Sequence, residues 1–503
     1  MNPLQKLAYY VVRFFTGLPG ALADFFSGMG RGIVRLVKGT GQALGRYFGG
    51  FAKGDLITKG SYFVMGLGHF TRDQVVKGVI YLVLEVLFIL YMVLFGGTYL
   101  GKFFYGFFSG GTVGNVPTQD FWNEEEGIYE KIAGDNSFKI ILYGVLTFLV
   151  ILFFLMLYFR SVAESRENEA TVKAGRRCPG FRQDLKDLTD KKFHLVLLLL
   201  PMIGLLMFTV IPLITMILIA FTNYDASTEV PQHLFSWVGL ANFGDILGGN
   251  SAMSGTFLRV LGWTLVWAFF ATFTNYFGGM VLALLINQKI VKWKKLFRTV
   301  FVATIAVPQF VSLLIMSKML TYGDSLEMSG IIVQLFHNLF GVDLKFGVDI
   351  MTTRIAIIVV NMWIGVPYSM LICSGILMNI PQELYESSRI DGAGPVKTFF
   401  SITLPYMLFV TGPYLITQFI GNINNFNVIY LLSGGAPGDL LRYTDGAKST
   451  DLLITWLYQL SLGVNRNYKL ASVIGILVFV ISAVFSLMVY NNSSAVQKED
   501  EFQ

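Results

Sequence analysis

The sequence predicts an all-α membrane protein with about eight transmembrane helices, and two observations predict it. Hydrophobic residues make up 54% of the 503 residues and charged residues only 14%, whereas a soluble domain carries about 25% charged residues. The chain also contains eight mostly apolar runs that are long enough for a helix of about 20 residues to cross a bilayer. These runs lie at residues 78–97, 138–160, 193–220, 257–287, 299–320, 355–378, 407–431 and 468–490.

The distribution of basic residues predicts the orientation of these runs. Ten Lys or Arg residues precede the first run, nine lie in 160–192 and five lie in 288–298, whereas 221–256 contains none. Basic loops of multi-pass proteins face the cytoplasm. We therefore expect both termini to lie in the cytoplasm, together with the polar stretch between the sixth and seventh runs.

The same patterns divide the chain into five segments. Residues 1–77 are basic and rich in glycine and aromatic residues, which is typical either of amphipathic helices on an anionic membrane surface or of a flexible tail. Residues 78–160 hold the first two runs, and 161–192 form a polar cytoplasmic linker. Residues 193–490 form a core with the other six runs, and 491–503 form a cytoplasmic tail.

The sequence contains no motif that indicates an enzyme. It has no HExxH or GxSxG motif, and GAKST at 446–450 lacks the flanking glycine pattern of a phosphate-binding loop. We expect no catalytic residue, metal site or cofactor in this chain. Glu85, an ionisable residue inside the first run, leaves open an ion-coupled secondary carrier, although a buried structural role is the simpler interpretation. A membrane enzyme acting on lipid-linked sugar has no cluster of acids or metal ligands to support it.

The polar stretch ELYESSRIDGAGPVKTFFSITLP, residues 383–405, separates two apolar runs. Asn379 is a predicted helix cap, and Pro381 suits the first turn of a helix that should end near Ile390. We expect a turn at Asp391–Gly392 and a second short helix over VKTFFSIT that leads into the seventh run. Small serines on the first helix would let another protein approach closely. The stretch is therefore either a docking element for a soluble subunit or a loop that only joins two spans.

Polar side chains also recur inside the sixth and seventh runs. Asn361, Gly365 and Tyr368 are spaced i, i+4, i+7, so they share one helix face. Gln418 and Asn422 begin the same spacing on the next run, and Asn425 completes it. Amides donate and accept hydrogen bonds, which suits the hydroxyl groups of a sugar, and an aromatic ring can stack on a sugar ring. The alternative is that these amides only join neighbouring helices.

Two sets of motifs carry a resemblance to known transporters. The spacing E-x5-G-x9-I-x-L-P resembles the EAA loop of ABC importer membrane subunits, at which the separate ATPase subunit docks; it is met by Glu386, Gly392, Ile402, Leu404 and Pro405. The segments FTNYD, WVGLANF, NNFNVIYLLSGGAP and TDLLITWLYQL resemble the MalF-type sugar permeases. This resemblance covers residues 190–490 well, although the loop 221–256 is too short to hold the large external domain of some members.

The resemblance implies a type I ABC importer permease core with a cytoplasmic EAA helix-turn-helix loop over residues 380–406. It implies that the ATPase docks at Glu386, Ser387, Ser388, Asp391, Gly392 and Ala393. It further implies a sugar site whose expected members are Asn361, Ile364, Gly365, Tyr368, Gln418, Gly421, Asn422 and Asn425.

The resemblance also implies the partners and the location of the protein. It predicts a multi-pass protein of the bacterial cell membrane that works by alternating access. Its expected partners are a second homologous permease subunit, two ATPase subunits that bind ATP and Mg, an extracellular sugar-binding protein and an oligosaccharide, with no role for nucleic acid. Maltose or maltodextrin is the leading expected sugar, and galacto-oligosaccharides are the alternative.

Overall fold

The computed structural model describes the chain from residue 27 to residue 491, with short gaps at 29, 33, 36–38, 40, 42–44, 46, 109–110, 125–126, 133, 230–233, 250, 289 and 465. The described residues form two units, 27–242 and 243–491. Residues 1–26 of the predicted segment 1–77 lie outside the described residues. Residues 492–503 of the predicted tail 491–503 also lie outside them.

Unit 27–242 contains three helices that are long and apolar enough to cross a membrane: span 1 (Val75–Phe108), span 2 (Ser137–Lys173) and span 3 (Phe193–Ile219). Single π-helical turns interrupt two of them, so that span 1 comprises Val75–Tyr91, Met92–Gly96 and Gly97–Phe108, and span 3 comprises Phe193–Leu205, Leu206–Val210 and Ile211–Ile219. The shorter helices are Leu56–Gly60, Leu67–Phe70, Phe181–Thr189 and Ala226–Thr228, and Ala241–Leu247 lies at the boundary between the units.

Spans 1 and 2 extend beyond the predicted runs. The first run was predicted to end at 97, but the helix continues to Phe108, and beyond 97 Tyr99 packs its ring against Tyr143 of span 2, with centroids 4.9 Å apart. The prediction ended the second run at 160, where charged residues begin. That polar continuation is rich in Ala, Glu, Arg and Lys, which favour helix, so the predicted linker 161–192 begins as part of span 2.

A two-stranded antiparallel hairpin is the one sheet among the described residues, and the all-helical prediction did not include it. Its strands are Gln119–Asn123 and Ile128–Ile132. Trp122 pairs with Tyr129 across the strands, and their rings pack edge to face with centroids 4.8 Å apart. Cross-strand aromatic pairs of this kind stabilise a hairpin.

The residues before span 1 are held to span 2 by ion pairs and hydrogen bonds. The Arg72 guanidinium lies 2.9 Å from a carboxylate oxygen of Asp55, which also caps a short helix by accepting from the Thr58 amide at 2.6 Å. Burial alone would raise the pKa of Asp55, but these N–H donors lower it below its usual value. Arg72 also donates to the backbone carbonyl of Ser165 in span 2 at 2.6 Å, and nearby Lys77 of span 1 forms an ion pair with Glu164 of span 2 at 3.0 Å.

Unit 243–491 contains the remaining candidate spans: span 4 (Ala252–Asn287), span 5 (Lys294–Ala306 followed by Gln309–Leu320), span 6 (Ile350–Met378), span 7 (Pro395–Ile423) and span 8 (Tyr468–Asn491). Counting the bent pair of span 5 as one crossing gives eight spans in the described part of the chain. The fold class predicted from the sequence is therefore confirmed. The other helices of this unit are Ile331–Phe340, Gln382–Ile390, Phe426–Leu432 and Leu453–Leu462.

Two of the predicted spans are broken in the structure. The fifth, predicted as continuous over 299–320, bends by 86° between its two helices, because Pro308 has no N–H to continue the helix and restricts the residue before it. The seventh, predicted over 407–431, begins earlier and ends at Ile423. A separate helix, Phe426–Leu432, follows.

The core of unit 243–491 lies where span 4 crosses span 6. Large buried side chains such as Trp267 and Met280 fill this region, but glycines set its geometry. A methyl group at Gly279 would lie 2.7 Å from the backbone nitrogen of Met370, and one at Gly278 would lie 2.8 Å from a side-chain carbon of Val366. Close backbone approach through small residues is how helices associate in a membrane, where lipid is as apolar as the helix surface.

We predict that Gly279→Ala destabilises the protein, because the added methyl group meets the backbone of span 6 and the helices must separate. Overpacking of this kind costs about 1–3 kcal/mol. Gly262→Ala is the matched control, since nothing lies within 4 Å of the methyl group that it adds to the same span. Thermal unfolding of the two purified variants in detergent compares them, and equal midpoints would contradict the prediction.

Candidate functional site

A cavity of about 500 Å³ lies among spans 4, 5, 6 and 7 of unit 243–491. Its volume is in the usual range for small-molecule sites. All eight residues that the sequence analysis assigned to a sugar site line this cavity: Asn361, Ile364, Gly365, Tyr368, Gln418, Gly421, Asn422 and Asn425.

Asn425 reaches the cavity by a different route from the one predicted. The sequence analysis placed it on the same helix face as Gln418 and Asn422, but span 7 ends at Ile423. Asn425 instead caps the following helix, where its side-chain oxygen accepts from the Val428 amide at 3.3 Å. The break after span 7 therefore brings a polar cap residue to the cavity.

Asn422 is held in place by span 4. Its side-chain amide donates to the Thr272 hydroxyl at 2.9 Å, and its backbone carbonyl accepts from the indole N–H of Trp267 at 3.1 Å. Its side-chain oxygen also accepts from the Asn425 amide at 3.3 Å. Asn422 thus joins two helices, as the alternative interpretation expected, and also presents an edge to the cavity.

Two other amides of the cavity have atoms without a hydrogen-bond partner among the described residues. They are the side-chain nitrogen of Asn361 and the side-chain oxygen of Asn275. A buried polar atom that lacks a partner costs about 1–3 kcal/mol, and such atoms in a native structure call for an explanation. A polar ligand that donates to the Asn275 oxygen and accepts from the Asn361 nitrogen would remove this cost.

The sequence analysis missed the contribution of spans 4 and 5 to the cavity. Asn275 projects from span 4, and the bend in span 5 supplies further polar side chains: Thr304, Gln309 and Ser312. The signal for span 5 was the sequence AVPQ at 306–309 inside an apolar run. Trp363 also lines the cavity and is 57% exposed in this chain.

No Asp, Glu, Lys or Arg is present among the described residues that line the cavity. Its polar groups are amides and hydroxyls, and two aromatic side chains, Trp363 and Tyr368, stand beside them. Amides and hydroxyls bind neutral polar ligands, and aromatic faces pack against the apolar face of a sugar ring. The chemistry of the cavity therefore fits an uncharged, hydroxyl-rich molecule.

Comparisons with known proteins agree with this chemistry. The family model for the binding-protein-dependent transport system inner membrane component matches residues 276–498. The maltodextrin transport system permease protein MdxF of Bacillus subtilis is 33% identical over 87% of this chain and 95% of its own length. This chain belongs to the MalF-type permeases of carbohydrate ABC importers.

Other permeases extend the comparison. The maltodextrin permease MalC of Streptococcus pneumoniae is 30% identical over 87% of this chain and 95% of its own length. MalF of Escherichia coli is 37% identical over 46% of this chain and 44% of its own length. A solved structure of a bacterial alginate ABC transporter, bound to a periplasmic protein that carries an alginate pentasaccharide, has a TM-score of 0.50 and 20% identity. It covers 62% of this chain and 98% of that one, and it shows the fold alone.

The permease also has a helical hairpin between spans 6 and 7, where the EAA loop was predicted. Its first arm is the helix Gln382–Ile390. Asn379 was predicted to cap this arm, but in the structure it ends span 6 instead. The second arm is not a separate helix, because Pro395–Thr398 runs through a π-helical turn at Phe399–Thr403 into the rest of span 7.

Side-chain hydrogen bonds hold the two arms of the hairpin together. The Ser388 and Thr398 hydroxyls lie 2.7 Å apart, and those of Tyr385 and Thr403 lie 3.1 Å apart. Ser388 is therefore buried, whereas the sequence analysis expected it to face a partner. Glu386, Ser387 and Asp391 are exposed, Ala393 is half-buried, and Gly392 is exposed at the turn with a φ of +70°.

We predict that Gly365→Ala weakens sugar binding. The added methyl group would lie 2.6 Å from the side-chain carbonyl carbon of Asn275, so the amide must leave its place in the cavity. Loss of one buried hydrogen bond corresponds to a roughly tenfold rise in the sugar concentration that half-saturates uptake. Gly375→Ala on the same span is the control, because its methyl group meets nothing within 4 Å. The prediction is wrong when both variants have the half-saturation of the parent.

Proposed function

We propose that this permease forms part of the membrane path for a neutral oligosaccharide, with maltodextrin as the leading substrate. The observation that carries the proposal is the uncharged cavity in which one side-chain atom each of Asn361 and Asn275 has no hydrogen-bond partner among the described residues. The names of two relatives, MdxF and MalC, support maltodextrin. The galactooligosaccharide permease GanP of Bacillus subtilis is 32% identical over 83% of this chain, which makes galacto-oligosaccharides the second candidate.

The energy for transport comes, in this proposal, from ATP hydrolysed with Mg on a separate subunit. The hairpin over residues 380–406 is the proposed docking site, and it lies on the cytoplasmic side together with both termini. Glu386, Ser387, Asp391 and Gly392 form the exposed part of the docking surface, while Ser388 and Ala393 support it from within. Two ATPase subunits, a second permease subunit and an extracellular sugar-binding protein complete the transporter, which works by alternating access.

The contacts of Glu85 favour an ATP-driven importer over an ion-coupled carrier. A coupling carboxylate has to bind and release an ion on the transport path. In this chain the Glu85 carboxylate accepts a hydrogen bond from the backbone amide of Met65 at 2.8 Å, so it stabilises the chain that precedes span 1. It is also not among the residues that line the sugar-site cavity.

We predict that cells carrying this permease with its transporter partners take up labelled maltotriose, and that Tyr368→Ala combined with Asn425→Ala lowers this uptake at least roughly tenfold, since an aromatic face and an amide are lost. Asn424→Ala is the control, because Asn424 bonds its own helix through the Ile420 carbonyl and does not line the cavity. Immunoblotting of membranes confirms equal amounts of protein.

Labelled galacto-oligosaccharide identifies the sugar in the same assay. Uptake of this sugar without uptake of maltotriose would keep the importer and replace the substrate. Uptake of maltotriose by this chain without any ATPase subunit would overturn the importer mechanism, and equal uptake by the double variant and the control would overturn the site.

We predict that Gly392→Ala reduces both uptake and co-purification of the ATPase subunit. A side chain at positive φ costs roughly 1–2 kcal/mol, so the turn that presents Asp391 rearranges, and a roughly tenfold loss of binding follows. Gly394→Ala is a closely matched control two residues away, where φ is −69° and the methyl group meets nothing within 4 Å. Normal co-purification of the Gly392→Ala variant would contradict docking at this turn.

A further inference from the structure

A second cavity, of about 410 Å³, lies in unit 27–242 between the helical residues 47–53 and the polar end of span 2. We call it the basic cavity. The side chains and glycines that define it are Gly50, Lys53, Gly54, Arg166, Glu169 and Lys173. It takes no part in the sugar site described above, and none of its residues was singled out by the sequence analysis.

The wall of the basic cavity is a packed element of the fold. The Arg166 guanidinium lies against Gly50, where an added methyl group would come within 2.5 Å of its carbon and displace it. The Tyr47 and Tyr158 hydroxyls lie 2.7 Å apart, and the Tyr62 hydroxyl donates to the Tyr47 carbonyl at 3.0 Å. These contacts hold the residues around Gly50 against span 2.

The residues that line the cavity carry an excess of two positive charges. Lys53, Arg166 and Lys173 contribute three cations and Glu169 one anion. The Glu169 carboxylate is already engaged, because it accepts from the backbone amide of Asp55 at 3.1 Å and pairs with the Lys173 ammonium. A concave surface with Lys, a planar Arg and glycine backbone suits a phosphate group, to which these side chains donate charge-assisted hydrogen bonds.

The position of the cavity along span 2 favours a lipid phosphate as the ligand. Arg166 lies six residues beyond Arg160, the first charged residue after the apolar part of this span, which is about 9 Å at 1.5 Å per residue. The polar headgroup layer of a bilayer is about 5–8 Å deep on each side, so the Cα of Arg166 lies just beyond it. The Arg166 side chain reaches back toward this layer, because helical side chains lean toward the N-terminus of their helix. Large apolar side chains flank the cavity in sequence and are uncovered, with Leu56 87% exposed and Phe63 74% exposed, as suits contact with acyl chains.

We propose that the basic cavity binds the phosphate group of an anionic phospholipid. The lipid then bridges the chain before span 1 to the end of span 2, and its acyl chains extend past the exposed apolar side chains. Basic pockets at the membrane surface bind anionic headgroups in this way. The proposal does not depend on which sugar is transported.

Thermal unfolding of the full-length chain in detergent tests the proposal. Short-chain phosphatidylglycerol is expected to raise the unfolding midpoint in a saturable manner, whereas phosphatidylcholine of the same chain length is not. Lys53→Gln, at an exposed position that leaves the packing intact, is expected to weaken the apparent affinity for phosphatidylglycerol roughly fivefold. Lys59→Gln removes the same charge from a residue that does not line the cavity and is expected to leave the affinity unchanged.

Three results would overturn the proposal. Equal weakening by Lys53→Gln and Lys59→Gln would mean attraction to the general surface charge instead of a site. An equal shift with phosphatidylcholine would mean that the acyl chains bind and the phosphate charge does not matter. A full shift with inorganic phosphate at the same concentration would identify free phosphate as the ligand in place of a lipid.

Arg166→Lys, which keeps the charge but loses the planar fork, is expected to weaken binding less than Lys53→Gln combined with Arg166→Gln.

Discussion

The close crossing of spans 4 and 6 is the constraint on which the rest of unit 243–491 depends. Lipid offers no hydrophobic drive for two apolar helices to associate, so contact has to come from backbone approach and from polar pairs. Gly278, Gly279 and Gly365 allow this approach. Because Gly365 faces Asn275 at the same crossing, the contact that holds the two spans together also brings their amides to one cavity. Packing and the proposed sugar site thus share one set of residues.

The helical period made part of this site predictable from the sequence. Asn361, Gly365 and Tyr368 face one cavity because span 6 is a continuous helix, so their spacing decides their direction. Asn275 was not predicted, because the other amide of its helix, Asn287, lies twelve residues away at the helix end and gives no periodic pattern. Asn425 lines the predicted cavity, but its spacing from Asn422 is not the cause. Span 7 ends at Ile423, and Asn425 lies there because it caps the next helix.

Contacts between distant parts of the sequence explain why unit 27–242 was less predictable. The Glu164 carboxylate lies within 3.4 Å of a His69 ring nitrogen and accepts from the Tyr81 hydroxyl at 3.1 Å, although more than 80 residues separate it from either. The basic composition before span 1 indicated a membrane surface but could not indicate this polar centre. Glu85, the one acid that the sequence marked inside an apolar run, belongs to the same region through the Met65 amide.

An uncharged cavity has a mechanical consequence for the proposed transport cycle. None of the described residues that line the cavity is an Asp, Glu, Lys or Arg, so a proton gradient finds no carboxylate there to act on. The proposed cycle takes its energy instead from movement of the surrounding helices. Span 7 is suited to carry it, because its 29 residues begin in the hairpin and reach Gln418 and Asn422 at the cavity, a length of about 43 Å at 1.5 Å per residue. The first arm of the hairpin is joined to the start of this helix by the Ser388–Thr398 and Tyr385–Thr403 hydroxyl pairs, so a displacement at the proposed docking surface is passed through these contacts and one helix to the proposed sugar site.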